Sequence, residues 1–185
     1  MNTLETLCSL DTISVAKKLL GMELLMNGKT LGIIVETEAY LGVKDAACHT
    51  YQAKRTPKNE AMYLAAGHWY VYQIYGHQML NFVTRAAEVP EAVLIRALEL
   101  PTNNGNGPGK FTRICGIDKR FNAENLAESS LTLAIARTPI AIQSHARIGV
   151  TCGEPWKSRP LGFYVAGHAQ VSKIRKTEIT NQPWQ

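Results

Sequence analysis

The amino-acid sequence predicts an α+β fold: a single compact domain built around a curved, mostly antiparallel β-sheet with short peripheral helices. Successive strand-like segments are separated by connections of hairpin length, which favours antiparallel pairing of neighbours. Helix-like segments are few and short. The length of 185 residues, with 45% hydrophobic and 19% charged residues, suits one domain that covers residues 1–185 and buries its own core.

The first predicted element is an amphipathic helix, with Asp11 as its N-cap and Gly21 as its C-cap. Asn27 and Gly28 come next, and this pair is typical of the two-residue turn of a β-hairpin. The strands on either side of the turn are MELLM and TLGIIVETEAY. We therefore expect a helix followed by a hairpin in this part of the chain.

Later elements are predicted from the same kinds of signal. Apolar runs predict strands at 69–75, 79–84, 92–98, 131–137 and 161–165. Thr56-Pro57 is expected to begin a helix over residues 58–67. A second helix is expected in GPGKFTRICG (107–116), where Gly116 would end it.

The chain is basic: 20 Lys and Arg against 15 Asp and Glu give a net charge of +5, and the pI is about 9.1. A positive protein attracts polyanions and releases their counterions on binding, so nucleic acid is one class of partner. Many basic proteins of this size bind no nucleic acid, and the charge alone does not decide the matter.

Four scattered cysteines form no CxxC pair, which argues against a zinc site and against a disulfide framework. No apolar run approaches the roughly 20 residues that cross a bilayer, and the first residues carry acids where a signal peptide carries bases. We expect a soluble cytoplasmic protein with no metal, no cofactor and no membrane contact.

A first candidate site lies on the strand that ends at Tyr40. Strand alternation places Glu36, Glu38 and Tyr40 on one face, so one carboxylate could act as a base while the other orients it or raises its pKa. Asp45 and His49 follow in a short loop and could converge on the same strand end. The alternative is a solvated strand face without chemistry.

A second candidate is the aromatic run GHWYVYQIYG (67–76). Its rings are either core residues of a sheet or a platform on which nucleic-acid bases stack. Tyr75 directly precedes Gly76, so its ring can project from a turn. A third candidate is NGNGPGK (104–110), whose amides and Lys110 could hold a phosphate, or which is only a surface turn. Its spacing excludes a Walker P-loop.

Taken together, these segments resemble the alkyladenine (methylpurine) DNA glycosylase family. The matching stretches run in family order: VAKKLLG (15–21), IVETEAYLG (34–42), DAACHT (45–50), RTPKNEAMY (55–63), GHWYVYQIYG (67–76), EAVLIRALE (91–99), NGPGKFTRICGID (106–118), ARIGV (146–150) and FYV (163–165). The resemblance implies a base excision repair enzyme that flips an alkylated or deaminated purine out of double-stranded DNA. It would hydrolyse the N-glycosidic bond and leave an abasic site.

The resemblance also assigns roles within the reaction. Glu38 matches the general base that activates water, while Tyr40, His49 and Tyr72 match the residues that enclose the extruded base. Asn81 matches the pocket residue that screens purines by their exocyclic groups, although one residue fewer than in the family separates it from Gly76.

The DNA-contacting residues implied by the resemblance are Tyr75, which would fill the gap left in the base stack, and Arg96 and Lys110, which would contact the backbone. No lysine accompanies Glu38 in the motif, so the implied enzyme is monofunctional, without an imine-forming lyase step. We expect a monomer. Three alternatives remain: a nucleic-acid binding protein of the same fold without catalysis, a nucleoside hydrolase, or a structural protein.

Overall fold

The computed structural model describes residues 3–185. Within this range the helices are α1 (Thr3–Cys8), α2 (Thr12–Lys18) and α3 (Pro108–Ile114). The strands are β1 (Met22–Met26), β2 (Lys29–Tyr40), β3 (Trp69–Ile74), β4 (His77–Val83), β5 (Ala92–Glu99), β6 (Leu131–Ile135), β7 (Ile142–His145) and β8 (Gly162–Val165).

All eight strands belong to one curled antiparallel sheet. The main path runs β3-β4-β5-β2-β1-β6, and β8 pairs with both β2 and β7. The long strand β2 is central, because it pairs with β5 from Ile33 to Tyr40 and with β1 and β8 as well. The predicted α+β fold with short helices around a curved antiparallel sheet is confirmed.

The predicted N-cap and hairpin turn of the first elements are confirmed, but Gly21 as the C-cap is wrong. Helix α2 ends at Lys18 with Leu19 as its C-cap, and Gly21, at φ 87°, instead donates its N–H to the Ile34 carbonyl at the start of the sheet. The Asp11 carboxylate accepts hydrogen bonds from the backbone N–H groups of Ile13 and Ser14 and caps α2. Asn27 and Gly28 adopt φ angles of 50° and 74° and join β1 to β2. Both residues of a type I′ turn require positive φ, which Asn and Gly tolerate best.

The helix expected over 58–67 is wrong: only a short 3₁₀ turn forms there, at Glu60–Tyr63. The Asn59 side chain accepts the Thr56 N–H and donates to the carbonyls of His49 and Lys54. These contacts fold the segment as a loop, because the asparagine satisfies backbone groups outside any helix. Helix α1 and strand β7 were not predicted.

The rings of the aromatic run differ in their burial. Trp69 and Tyr70 are buried, and the Trp69 indole donates to the Leu131 carbonyl. Tyr72 is only partly buried, and Tyr75 is 97% exposed. Core packing therefore explains the first two rings but not the last.

A second, smaller apolar cluster lies beside the main core and includes Cys48, Met62, Tyr70 and Val83. Tyr40 and Tyr72 pack against it from its more exposed side. Among residues 3–185, no helix combines the length and the apolar character needed to cross a bilayer.

Candidate active site

A cavity of about 400 Å³ opens where β2 ends, and the strands β3, β4 and β5 and two loops surround it. The cavity is lined by four of the residues that were singled out from the sequence: Tyr40, His49, Asn81 and Arg96. Apolar side chains such as Met62 and Leu94 supply much of the remaining wall. Concave, largely apolar pockets with a few convergent polar groups are the usual form of ligand sites.

Glu38 is fully buried behind the wall of this cavity, in contact with residues that line it. Its Oε1 accepts a hydrogen bond of 2.8 Å from the Ile148 N–H, and its Oε2 accepts one of 2.9 Å from the Tyr40 hydroxyl. Arg96 Nε lies 3.4 Å from Oε1. Tyr40, Arg96 and Ile148 all line the cavity, so every one of these contacts joins the carboxylate to the cavity wall.

Glu36 is the second buried carboxylate on β2. Its Oε2 accepts the Ser172 N–H at 2.7 Å, and its Oε1 lies 3.2 Å from His145 Nε2 and 3.6 Å from Arg96 Nε. The idea of a solvated strand face is therefore wrong, because both Glu36 and Glu38 are enclosed and hydrogen-bonded. Arg96 lies between them, on β5, where the pairing of β2 with β5 shifts register.

Burial raises the pKa of Tyr40 well above the usual value for a phenol, and the neighbouring Glu38 charge raises it further. The hydroxyl therefore stays protonated and donates to Glu38. The guanidinium of Arg147 lies 4.7 Å from the centre of the Tyr40 ring, a cation–π contact that fixes the ring at the cavity wall.

His49 is held by two tyrosines. Its Nδ1 lies 2.9 Å from the Tyr70 hydroxyl, and its ring stacks on Tyr72 with 4.0 Å between centroids. Burial lowers the pKa of His49, and the charge of Lys54 lowers it further, so the imidazole is neutral at pH 7. Tyr72 is placed one layer behind His49 and supports it, while His49 itself lines the cavity.

Asn81 reaches the cavity from β4, where it pairs with Tyr70 on β3. Its Nδ2 donates to the carbonyls of Tyr70 and Met79, at 3.1 and 3.0 Å. Both amide protons are thereby used within the sheet, so the orientation of the side-chain amide is fixed. The shortened spacing after Gly76 still brings Asn81 to the cavity.

Asp45 and Arg147 form a fully buried ion pair that closes the loop after β2. The two terminal guanidinium nitrogens of Arg147 donate to the Asp45 carboxylate, which also accepts the N–H groups of Leu41 and Ala47. The pair holds the loop that carries His49. The sequence suggested that Asp45 could converge with His49 on the strand end, and its oxygens are engaged there in this structural role.

The model of the family described as methylpurine-DNA glycosylase matches residues 6–169.

The chain belongs to the methylpurine-DNA glycosylase family.

Several bacterial relatives cover almost the whole of this glycosylase-family chain. A Listeria monocytogenes protein is 38% identical over 94% of this chain and 93% of its own length. A Bdellovibrio bacteriovorus protein is 41% identical over 88% of this chain and 94% of its own length. A Staphylococcus saprophyticus protein is 36% identical over 91% of this chain and 93% of its own length. Each carries the provisional name 3-methyladenine DNA glycosylase. The resemblance seen in the sequence motifs is confirmed.

The other two residues singled out for DNA contact lie outside the cavity. Tyr75 and Gly76 form the turn between β3 and β4, with φ angles of 48° and 79°. Lys110 is exposed on α3, and its Nζ donates to Asn106 Oδ1 at 3.1 Å. Gly109, which precedes Lys110, packs against His77, which follows the Tyr75-Gly76 turn. A Cβ added at Gly109 would come within 2.6 Å of the His77 Cβ. The turn that carries Tyr75 and the helix α3 that carries Lys110 are therefore adjacent.

Three contributors to the glycosylase-family site were not assigned from the sequence: Arg147, Ile148 and His145. The first two stand in the ARIGV motif, which carried the resemblance but received no role. His145 stands just before that motif and has no local signal of its own. Among residues 3–185, no group of three or more His, Cys, Asp or Glu side chains is arranged to hold a metal ion.

Proposed function

We propose that this protein releases methylated purines, with 3-methyladenine among them, from double-stranded DNA by hydrolysing the N-glycosidic bond with a water activated by Glu38. The observation that carries the proposal is the position of the Glu38 carboxylate behind the wall of a cavity lined by Tyr40 and His49. Membership of the methylpurine-DNA glycosylase family supports the substrate class.

The cavity accounts for the first requirement of such a reaction. A base inside a duplex hides its sugar carbon, so glycosylases rotate the nucleotide out of the stack into a pocket. A volume of about 400 Å³ has room for a purine, and the rings of Tyr40 and His49 offer it flat walls. Ring methylation makes the purine cationic, which adds a cation–π attraction to such walls.

Glu38 supplies the second requirement, an oriented base for the attacking water. Ile148, Tyr40 and Arg96 hold its two oxygens from different directions. A carboxylate so placed accepts a proton from water and offsets the positive charge that develops on the sugar. A cationic purine leaves without prior protonation, so one carboxylate suffices where ordinary glycosidases need an acid and a base.

The experiment that tests the proposal uses duplex oligonucleotides that carry an alkylated adenine, an alkylated guanine or hypoxanthine, with abasic sites counted after incubation. We expect abasic sites without strand cleavage, because the proposed enzyme is monofunctional. Free methylated nucleosides are the control substrate. Faster hydrolysis of the nucleosides than of the duplex would replace the proposal with a nucleoside hydrolase.

Tyr75 is proposed to occupy the space that the flipped nucleotide leaves. Tyr75→Ser should weaken the complex with a lesion duplex by about 1–3 kcal/mol, the range for losing one stacked aromatic ring. The thermal midpoint should stay unchanged, because the ring is 97% exposed in the free protein. A fluorescent base analogue at the lesion reports flipping, and Tyr75→Trp, which keeps a ring, should retain it. A large loss of melting temperature with normal flipping would contradict this role.

Lys110 is proposed to contact a DNA phosphate. Lys110→Ala should reduce the slope of log affinity against log salt by about one unit on undamaged duplex, as expected for one phosphate contact. Lys29→Ala is the matched control, since this exposed lysine begins β2 at the end opposite Tyr40. Equal slopes in the Lys110→Ala variant and the unaltered protein would show that Lys110 faces solvent in the complex.

We infer that the protein acts on DNA as a monomer in the cytoplasm. Its four cysteines are all free, as a reducing compartment would keep them. Arg96 is proposed to contact the DNA backbone around the lesion, and its place in the cavity wall supports this role.

A further inference from the structure

His145, at the end of β7, lies between two hydrogen-bond acceptors. Its Nδ1 is 2.6 Å from the carbonyl oxygen of Ala146, and its Nε2 is 3.2 Å from Glu36 Oε1. A neutral imidazole carries one N–H and can satisfy only one of these acceptors. The imidazolium carries two, so the geometry matches the protonated form.

The backbone around His145 is shaped to accommodate this ring. His145 pairs with Gly162 on β8, and Gly162 pairs in turn with Glu38 on β2. A Cβ at Gly162 would lie 2.5 Å from His145 Cε1, so the imidazole occupies the space that any side chain there would need. The ring of Tyr164, which lies on β8 with Gly162, packs against the His145 imidazole with 5.4 Å between the ring centroids.

We propose that His145 is a positioning residue for the excision reaction: as an imidazolium it neutralises Glu36 and so keeps Arg96 beside Glu38. The proposal rests on the proposed function, because Glu38 is its reacting carboxylate. Glu36 already accepts from His145 on one oxygen and from the Ser172 N–H on the other. Arg96 can therefore stay at 3.4 Å from Glu38 without being drawn to the second carboxylate.

Loss of the His145 proton changes this balance. Arg96 is then the remaining cation within 4 Å of Glu36 in the described chain, at 3.6 Å. Two buried carboxylates would compete for one guanidinium, and a buried charge without a partner is costly. Movement of Arg96 toward Glu36 would leave Glu38 with less stabilisation of its charged form and a less defined orientation.

The groups around His145 favour its charged form. The hydrogen bond to Glu36 raises the pKa of His145 most, with further contributions from the Ala146 carbonyl and the charges of Glu36 and Glu38, against an opposing effect of burial. The charged or titratable groups that surround the ring are Glu36 and Glu38 on β2, Arg96 on β5, Tyr164 on β8, and Lys173, Arg175 and Glu178 around an adjoining cavity.

The kinetic test is the pH profile of single-turnover release of 3-methyladenine from methylated duplex DNA, between about pH 6 and 9. The wild-type rate should fall on the alkaline side as His145 loses its proton. His145→Gln keeps a donor for Glu36 but no charge. We expect its rate to be about tenfold lower, because one charge-assisted hydrogen bond is lost. The decline on the alkaline side should be absent. Substrate affinity should change little.

His68→Gln is the matched control, because His68 also contacts a backbone carbonyl, that of Ala65, but pairs with no carboxylate among residues 3–185. It should keep the wild-type profile. His145→Gln should also lower the melting temperature more at pH 6 than at pH 9, since a raised pKa stabilises the fold below the unfolded pKa and this contribution disappears as pH rises through the folded value. An unchanged pH profile in His145→Gln would overturn the proposal.

A second measurement does not depend on activity. The ¹⁵N shifts of the His145 ring, assigned by their absence in His145→Gln, should show both nitrogens protonated at neutral pH. Glu36→Gln should lower the pKa of His145. A neutral ring at that pH would overturn the proposal even in an active enzyme. Failure of the wild-type protein to release any base would instead overturn the proposed function, with the ionisation of His145 still measured.

Discussion

Glu38→Gln should abolish base release while leaving the binding of lesion DNA largely intact. Glutamine keeps the shape of the side chain and can still accept the Ile148 N–H, but it cannot take a proton from water. General bases contribute about 10²–10⁴ in rate, so the loss should fall in or above that range. Single-turnover excision on a lesion duplex measures the rate, and a gel-shift titration measures the binding.

Glu36→Gln is the matched control for this substitution, since it removes the charge of the other buried carboxylate on the same strand. It should slow excision much less, because Glu36 meets the site only through His145 and Arg96. Equal losses at the two positions would contradict the assignment of Glu38 as the reacting carboxylate.

Asp45→Asn should be strongly destabilising, by about 3–5 kcal/mol, because it leaves the guanidinium of Arg147 buried without its counter-ion. Both side chains of the pair are fully buried. Asparagine fills nearly the same volume, so the loss comes from charge and not from packing. Urea unfolding followed by tryptophan fluorescence measures the difference in the free energy of unfolding.

Glu60→Gln provides the comparison for Asp45→Asn, because it breaks an ion pair with Arg55 in which both partners are about half exposed. Surface pairs of this kind contribute little, so the urea midpoint should hardly move. Similar shifts for the two variants would show that the buried pair adds nothing beyond an ordinary surface contact. Excision by Asp45→Asn should also fall, since the pair holds the loop that carries His49.

The parts of the fold that local chemistry determines could be predicted from the sequence. Asp11 caps its own helix within three residues, and Asn27-Gly28 selects its own turn. The helix expected over 58–67 failed because Asn59 makes its contacts with His49 and Lys54, which the sequence pattern does not reveal. Strand β7 was missed because its IQSH segment is short and lacks a clear apolar alternation.

The candidate site was only half predictable. Alternation placed Glu36 and Glu38 together, and the resemblance chose Glu38 between them. Two of their partners come from far along the chain: His145 is 109 positions after Glu36, and Ile148 is 110 positions after Glu38. No periodicity connects positions so distant, and the pairing of β8 with both β2 and β7 brings them together.

This separation has a consequence for the growing chain on the ribosome. The two carboxylates of β2 are synthesised early, but the Ile148 and Ser172 amides that donate hydrogen bonds to them come more than a hundred residues later. Until then Glu38 has only Tyr40 and Arg96 as partners and Glu36 has only Arg96, so burial of the two charges would be incompletely compensated and we expect β2 to stay hydrated. Closure of the sheet and assembly of the site are thus one late event, as expected for a fold dominated by distant pairings. Nascent chains stalled before β8 should show no excision activity.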